Sequence, residues 1–192
     1  MRLFVAVDID AAIRERLVQF VRRLKQQVPE VRFVSAESYH VTLKFLGETP
    51  KLDAIREALR TIKAPPFELA VRGTGFFPNE RQPRVLWAGI EAAPELRELA
   101  ERTSAALAPL GFPAEAAFNP HLTLARSGSG SPQPKAGERT NPQLQRVREL
   151  IASEAPQEFG TMTAREFFLY ESKLTPQGAQ YSRLDGFELV AR

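Results

Sequence analysis

The amino-acid sequence reads as an α+β protein built from a strand–helix–strand unit that occurs twice. Three observations carry that reading. The only two histidines among the 192 residues stand in matching tetrapeptides, His40-Val41-Thr42-Leu43 and His121-Leu122-Thr123-Leu124. These are 81 positions apart, from 40 to 121, and other features repeat at the same offset. An apolar run that ends in an acid, Leu3 to Asp10, falls on a second one, Arg84 to Glu91, and helix-like spacing follows each. Duplicated units usually pack about a pseudo-twofold axis, which would set the two histidines face to face across one cleft. The chain is long enough for one well-buried core and short for two. We therefore expect a single domain over 1–192 with two lobes, the repeat units running roughly over 3–46 and 84–126.

Each element has its own justification. The segment from Ala11 to Gln27 carries Ile13, Leu17, Phe20, Val21 and Leu24 at helical spacing. Pro94 to Leu110 does the same with Leu96, Leu99, Ala100 and Leu107, and Pro94 suits a first helical turn. Each histidine motif alternates apolar and polar residues, the pattern of a strand with one buried face. Leu52 to Ile62 reads as a helix that stops before Pro65-Pro66. Phe67 to Val71 alternates as a strand, and Gly73-Thr74-Gly75-Phe76-Phe77-Pro78 reads as a turn-rich loop. Ser127 to Pro142, rich in glycine, serine and proline, reads as a mobile loop placed to cover the cleft. Leu144 to Ile151 is predicted helical. Glu166 to Tyr170 and Phe187 to Val190 read as late strands, linked by a turn around Pro176-Gln177-Gly178.

Composition bounds the function. The apolar (43%) and charged (26%) fractions are ordinary for a globular protein, which excludes disorder across the chain. The chain has no cysteine, so thiolate catalysis and disulfide stapling are excluded, and a cytoplasmic setting is expected. The N-terminal apolar run is cut short by Asp8 and reads as a buried strand, not a signal peptide or membrane span. A net charge of +3 and a pI near 9.4 suit an anionic substrate or a nucleic acid end. No dense basic stripe for duplex binding is present.

The histidine motifs carry the chemistry. In a strand His40 and Thr42 share one face, as do His121 and Thr123. An imidazole and a hydroxyl side by side, twice over, suit acid–base chemistry on a phosphodiester. The hydroxyls can donate to non-bridging phosphate oxygens. Strict alternation sets Arg126 on the face opposite Thr123, yet a guanidinium suits phosphate, so the strand is expected to end or bulge there. Lys44 shares the parity of His40 and Thr42 and is expected at a solvated strand end. Phe45 and Phe76 are candidate surfaces for stacking a nucleobase, although parity favours the core for Phe45. The histidines lack metal-ligand spacing and threonine is a poor zinc ligand, so no metal and no cofactor are expected. Gly73-Thr74-Gly75 lacks the third glycine of a dinucleotide loop.

Beyond these residues the sequence resembles the two-histidine phosphoesterase superfamily, and within it the bacterial and archaeal RNA 2',3'-cyclic phosphodiesterases, also called 2'-5' RNA ligases. The resemblance runs through Arg2-Leu3-Phe4-Val5-Ala6, His40 to Glu48, Gly75-Phe76-Phe77-Pro78, Phe118 to Arg126, Leu169-Tyr170-Glu171-Ser172 and Tyr181. It implies a bilobal fold with antiparallel sheets lining a central cleft and helices packed outside. It implies hydrolysis of RNA 2',3'-cyclic ends to 2'-phosphomonoesters, a step in RNA processing, together with reversible 2'-5' RNA ligation. His40 would be the proton donor and His121 the proton acceptor, with Thr42, Thr123 and Arg126 at the phosphate. The partner would be an RNA with a cyclic phosphate end, such as a tRNA half, or a nucleotide; a monomer without membrane attachment is expected. Phosphodiesterases of small cyclic nucleotides or of ADP-ribose cyclic phosphate, and a non-catalytic RNA-end binding module, are the alternatives. The departure from the family lies after Arg126, where glycine, serine and proline replace any recognition sequence.

Overall fold

The computed structural model describes residues 1–92, 94–115, 117–127 and 141–191. Nine strands form two antiparallel sheets among these residues. One has the order β3-β1-β8-β9, from β1 (Arg2–Asp8), β3 (His40–Glu48), β8 (Glu166–Thr175) and β9 (Gly178–Glu188). The other has the order β2-β6-β5-β4-β7. It contains β2 (Arg32–Phe33), β4 (Phe67–Phe77), β5 (Val85–Glu91), β6 (His121–Arg126) and β7 (Glu158–Ala164). The helices are α1 (Ala11–Gln27), α2 (Leu52–Arg60), α3 (Glu95–Leu107) and α4 (Pro142–Ala152). No helix among the described residues is long and apolar enough to cross a membrane. The fold is α+β with antiparallel sheets, as the sequence predicts.

Apolar periodicity decides what each element buries. Ile13, Leu17, Phe20, Val21 and Leu24 form the inward stripe of α1, and the Asp10 carboxylate caps its first turn by accepting from the Ile13 N–H at 2.9 Å. Leu3, Val5 and Val7 of β1 join that core, while the opposite face of β1 presents Phe4 and Ala6 to a smaller cluster with Phe168 and Tyr170. β1 therefore has an apolar residue at nearly every position because both of its faces are covered.

The two histidine strands are paired alike. In the β1–β3 ladder Asp8 faces His40, Val7 faces Val41, Ala6 faces Thr42, Val5 faces Lys44 and Phe4 faces Phe45. Adding 81 to both members gives Gly89–His121, Ala88–Leu122, Trp87–Thr123, Leu86–Ala125 and Val85–Arg126, which are the observed β5–β6 pairs. The irregularity repeats too. Leu43 and Leu124 are each an extra residue bulged out of the ladder, at Val5/Ala6 and at Leu86/Trp87.

The structure departs from the sequence expectation in two places. Gly73 to Phe77 is not a loop but the second half of β4. A register shift between Val71 and Thr74, with Gly73 at φ +69°, lets the strand bend and continue. Gly75 is required because a Cβ there would lie 2.1 Å from the Trp87 ring. The sequence pattern does not reveal β7 or the full length of β9; both are outermost in their sheets, and β7 buries only Phe159 and Ala164 and β9 only Phe187, so neither carries a continuous apolar stripe. Of the predicted mobile loop, residues 128–140 lie outside the described residues.

Candidate active site

The bulges decide which side chains reach the cleft. Before Leu43 the alternation is regular, so His40 and Thr42 share a face. At the bulge both Leu43 and Lys44 turn inward, and Phe45 returns to the face of His40 and Thr42. The second copy repeats this with Leu124 and Ala125 buried and Arg126 exposed beside His121 and Thr123. Arg126 is thus on the histidine face, as the expected irregularity allows. Lys44 corrects the sequence expectation. It is 2% exposed, and its ammonium donates to the Pro113 carbonyl at 2.6 Å. Phe45, expected in the core on parity, is 61% exposed at the cleft.

His40, Thr42, Phe45, His121, Thr123 and Arg126 line one pocket of about 90 Å³, joined by Val34, Ser38 and Tyr181. Phe76 is elsewhere. It lies buried in the main core against Leu86, and the aromatic at the site is its neighbour Phe77, edge-on to His121 at 4.9 Å. The shift at Gly73 makes the wrong phenylalanine look available from sequence.

Two connections hold the histidines together. Residues 32–34 leave α1 and pair with β6 of the opposite sheet before entering β3. Arg32 faces Arg126, Phe33 faces Ala125, and the Val34 N–H donates to the Leu124 carbonyl at 2.8 Å. The chain that presents His40 is therefore stitched to the strand that presents His121. From α1, the Arg14 guanidinium donates to the Ala36 carbonyl and reaches that of Tyr39, whose ring is buried. These bonds fix the turn immediately before His40.

The two imidazoles have different surroundings. His40 stacks on Phe4 at 4.8 Å and meets Tyr181 edge-on at 5.2 Å. Burial in this aromatic setting pulls its pKa down to about 4, with the Arg14 and Arg126 charges acting in the same sense. The Asp8 carboxylate and the main chain of Ser38 oppose that shift. Asp8 is itself held by the Tyr170 hydroxyl, which donates at 2.5 Å, and by the Arg183 guanidinium. In the second copy Gly89 stands where Asp8 stands in the first, so His121 has no such carboxylate. His121 Nδ1 lies 2.8 Å from the Asn119 carbonyl, which only accepts. That contact places the proton on Nδ1 and leaves Nε2 as the basic nitrogen.

Sequence reasoning missed Asp8, Tyr170, Phe77 and Arg183 as parts of the site, and Tyr181 as part of its wall. The acid ending the first strand becomes informative only when the ladder sets Asp8 opposite His40, whereas Phe77, Tyr170 and Tyr181 lay within the segments that carry the family resemblance.

A family profile described as LigT like phosphoesterase matches residues 7–87 and 90–181. The RNA 2',3'-cyclic phosphodiesterase of Archaeoglobus fulgidus is 38% identical over 190 residues, covering 98% of this chain and 100% of that protein. The solved TT0787 of Thermus thermophilus superposes with a TM-score of 0.78 at 31% identity, covering 98% of each chain. Escherichia coli LigT complexed with 3'-AMP superposes with a TM-score of 0.74 at 29% identity, covering 99% of this chain and 98% of that one.

Proposed function

Because the chain belongs to the LigT like phosphoesterase family, we propose that it hydrolyses 2',3'-cyclic phosphates at RNA ends to 2'-phosphomonoesters. The observation that carries this reading is the convergence of two imidazoles, two hydroxyls and one guanidinium on a single small pocket. The relative from Archaeoglobus fulgidus bears the name of this activity.

The chemistry follows from the groups present. His121 Nε2 takes a proton from water, and the resulting nucleophile attacks phosphorus in line with the P–O3' bond. That bond breaks, and the departing 3' oxygen takes its proton from His40. The product carries a 2'-phosphate and a free 3'-hydroxyl, and the two imidazoles have exchanged protonation states. Thr42 and Thr123 donate to the non-bridging oxygens, and Arg126 neutralises charge there. Phe45, exposed beside the pocket, offers the terminal base a stacking face. With a ribose 5'-hydroxyl in place of water, the same steps in the same direction form a 2'-5' linkage, and their reverse cleaves it.

Asp8 distinguishes the two histidines. A carboxylate near His40 stabilises its imidazolium, the form a proton donor needs, whereas Gly89 supplies none to His121. Protons and charge balance in these steps with the side chains alone, so the reading calls on no metal ion. We read the chain as one cytoplasmic, monomeric domain whose lobes arose by duplication of units 3–46 and 84–126, a reading supported by the repeated ladder and bulge.

The test is turnover of an oligonucleotide ending in a 2',3'-cyclic phosphate with EDTA present. The expected product is the 2'-phosphate, with activity lost in both His40→Ala and His121→Ala. A 3'-phosphate product overturns the assignment of donor and acceptor, and activity surviving either substitution sinks the mechanism.

A further inference from the structure

The pocket at the two histidines, of about 90 Å³, is the smaller of two that share a wall, and the strand leading to an RNA end extends beyond it. A groove of about 550 Å³ adjoins it and shares Val34, Ser38, Arg126 and Tyr181 with it. The groove runs between α1, β2 and the turn joining β8 to β9. Its apolar floor includes Val18 and Val21 on one face of α1, with Phe33 from β2. Arg22, Lys25 and Arg32 stand exposed along it, and among the described residues no carboxylate lines it.

Charge in this groove is unbalanced. The ion pairs among the described residues engage none of Arg22, Lys25, Arg32 or Arg126. Arg32 and Arg126 are direct cross-strand partners, a like-charge pairing that destabilises a ladder when no anion lies between. The row of cations begins at the catalytic pocket with Arg126 and leads away from it. Phosphodiesters spaced along a single strand, with bases laid against Phe33 and Tyr181, match that sequence of charge and aromatic surface.

We infer that this groove binds the RNA strand immediately 5' of the cyclic end, with Arg32, Arg22 and Lys25 on its phosphodiesters. The inference rests on the phosphodiesterase reading and deepens it, because it makes oligonucleotide ends better substrates than mononucleotides. The experiment compares a tetranucleotide ending in a 2',3'-cyclic phosphate with 2',3'-cyclic AMP. Both are assayed across a salt series in the unsubstituted protein and in Arg22→Gln/Lys25→Gln/Arg32→Gln.

In the unsubstituted protein kcat/KM should favour the tetranucleotide by about tenfold or more at low salt. In the triple variant the ratio of the two kcat/KM values should fall toward one, chiefly through KM. Its slope of log kcat/KM against log salt on the tetranucleotide should flatten by about 2, at roughly 0.7 for each of the neutralised charges. Turnover without a length preference, or a preference and salt slope untouched in the variant, overturns the groove and leaves the phosphodiesterase reading standing. No turnover of either substrate by the unsubstituted protein overturns both.

Discussion

His40 should change its protonation state when an anionic phosphate enters the cleft. In the empty site its pKa lies at about 4, so only about one molecule in a thousand carries the imidazolium at pH 7. Protonating it there costs roughly 4 kcal/mol, at 1.36 kcal/mol per pH unit. A phosphate charge about 4 Å away supplies about 4 kcal/mol at an effective dielectric constant near 20. The two magnitudes match, so a bound phosphate should raise the His40 midpoint to about 7. The ligand then binds the protonated protein more tightly, and its affinity should rise as the pH falls from about 7 toward 4. The assay is an imidazole NMR titration of the free protein and of the protein saturated with inorganic phosphate, with His121→Ala used to assign the resonances. Asp8→Asn should lower the midpoint in both states, since the carboxylate favours the charged form. A free-state midpoint near 6.5, or no upward movement with phosphate, would refute this account of how a desolvated histidine serves as the acid.

Other outcomes follow from the same structure. His40 is less readily protonated folded than unfolded, so its contribution to stability is complete above pH 6.5 and is lost as the pH falls toward 4. The loss approaches on the order of 3 kcal/mol, and His40→Gln should flatten that part of a denaturation series. Thr42→Val and Thr123→Val should each lower kcat by about a hundredfold with little change in the circular dichroism spectrum, since each removes one donor to the transition-state phosphate. Gly75→Ala drives a methyl group into the Trp87 ring and should destabilise the fold by about 1–3 kcal/mol, read from the urea midpoint. An unchanged midpoint would mean that β4 moves away from β5 freely.

Much of this protein was legible from residue order because the relevant signals are local. The stripe from Ile13 to Leu24 specifies α1 by its own spacing, and the matched tetrapeptides present an imidazole and a hydroxyl together on any extended backbone. The 81-residue offset predicted a repeated strand–helix–strand unit, and all five β5–β6 pairs match β1–β3 pairs at that offset. What it could not place were the residues beyond each bulge. Lys44 is buried and Phe45 exposed because Leu43 has no partner in β1, a fact that belongs to two strands at once. The same holds for Phe76 and Phe77 after the break at Gly73.

Sequence alone thus determined the α+β class, and it supplied the repeat and the candidate groups on which the proposed site rests. Tertiary structure decided which of the neighbouring side chains join them and what each histidine experiences. The physical reason is that helical and strand periodicity are properties of consecutive residues. Desolvation and charge are instead sums over residues distant in the chain. Phe4, Tyr170 and Asp8 act on His40 only because β1 and β8 lie beside β3 in one sheet.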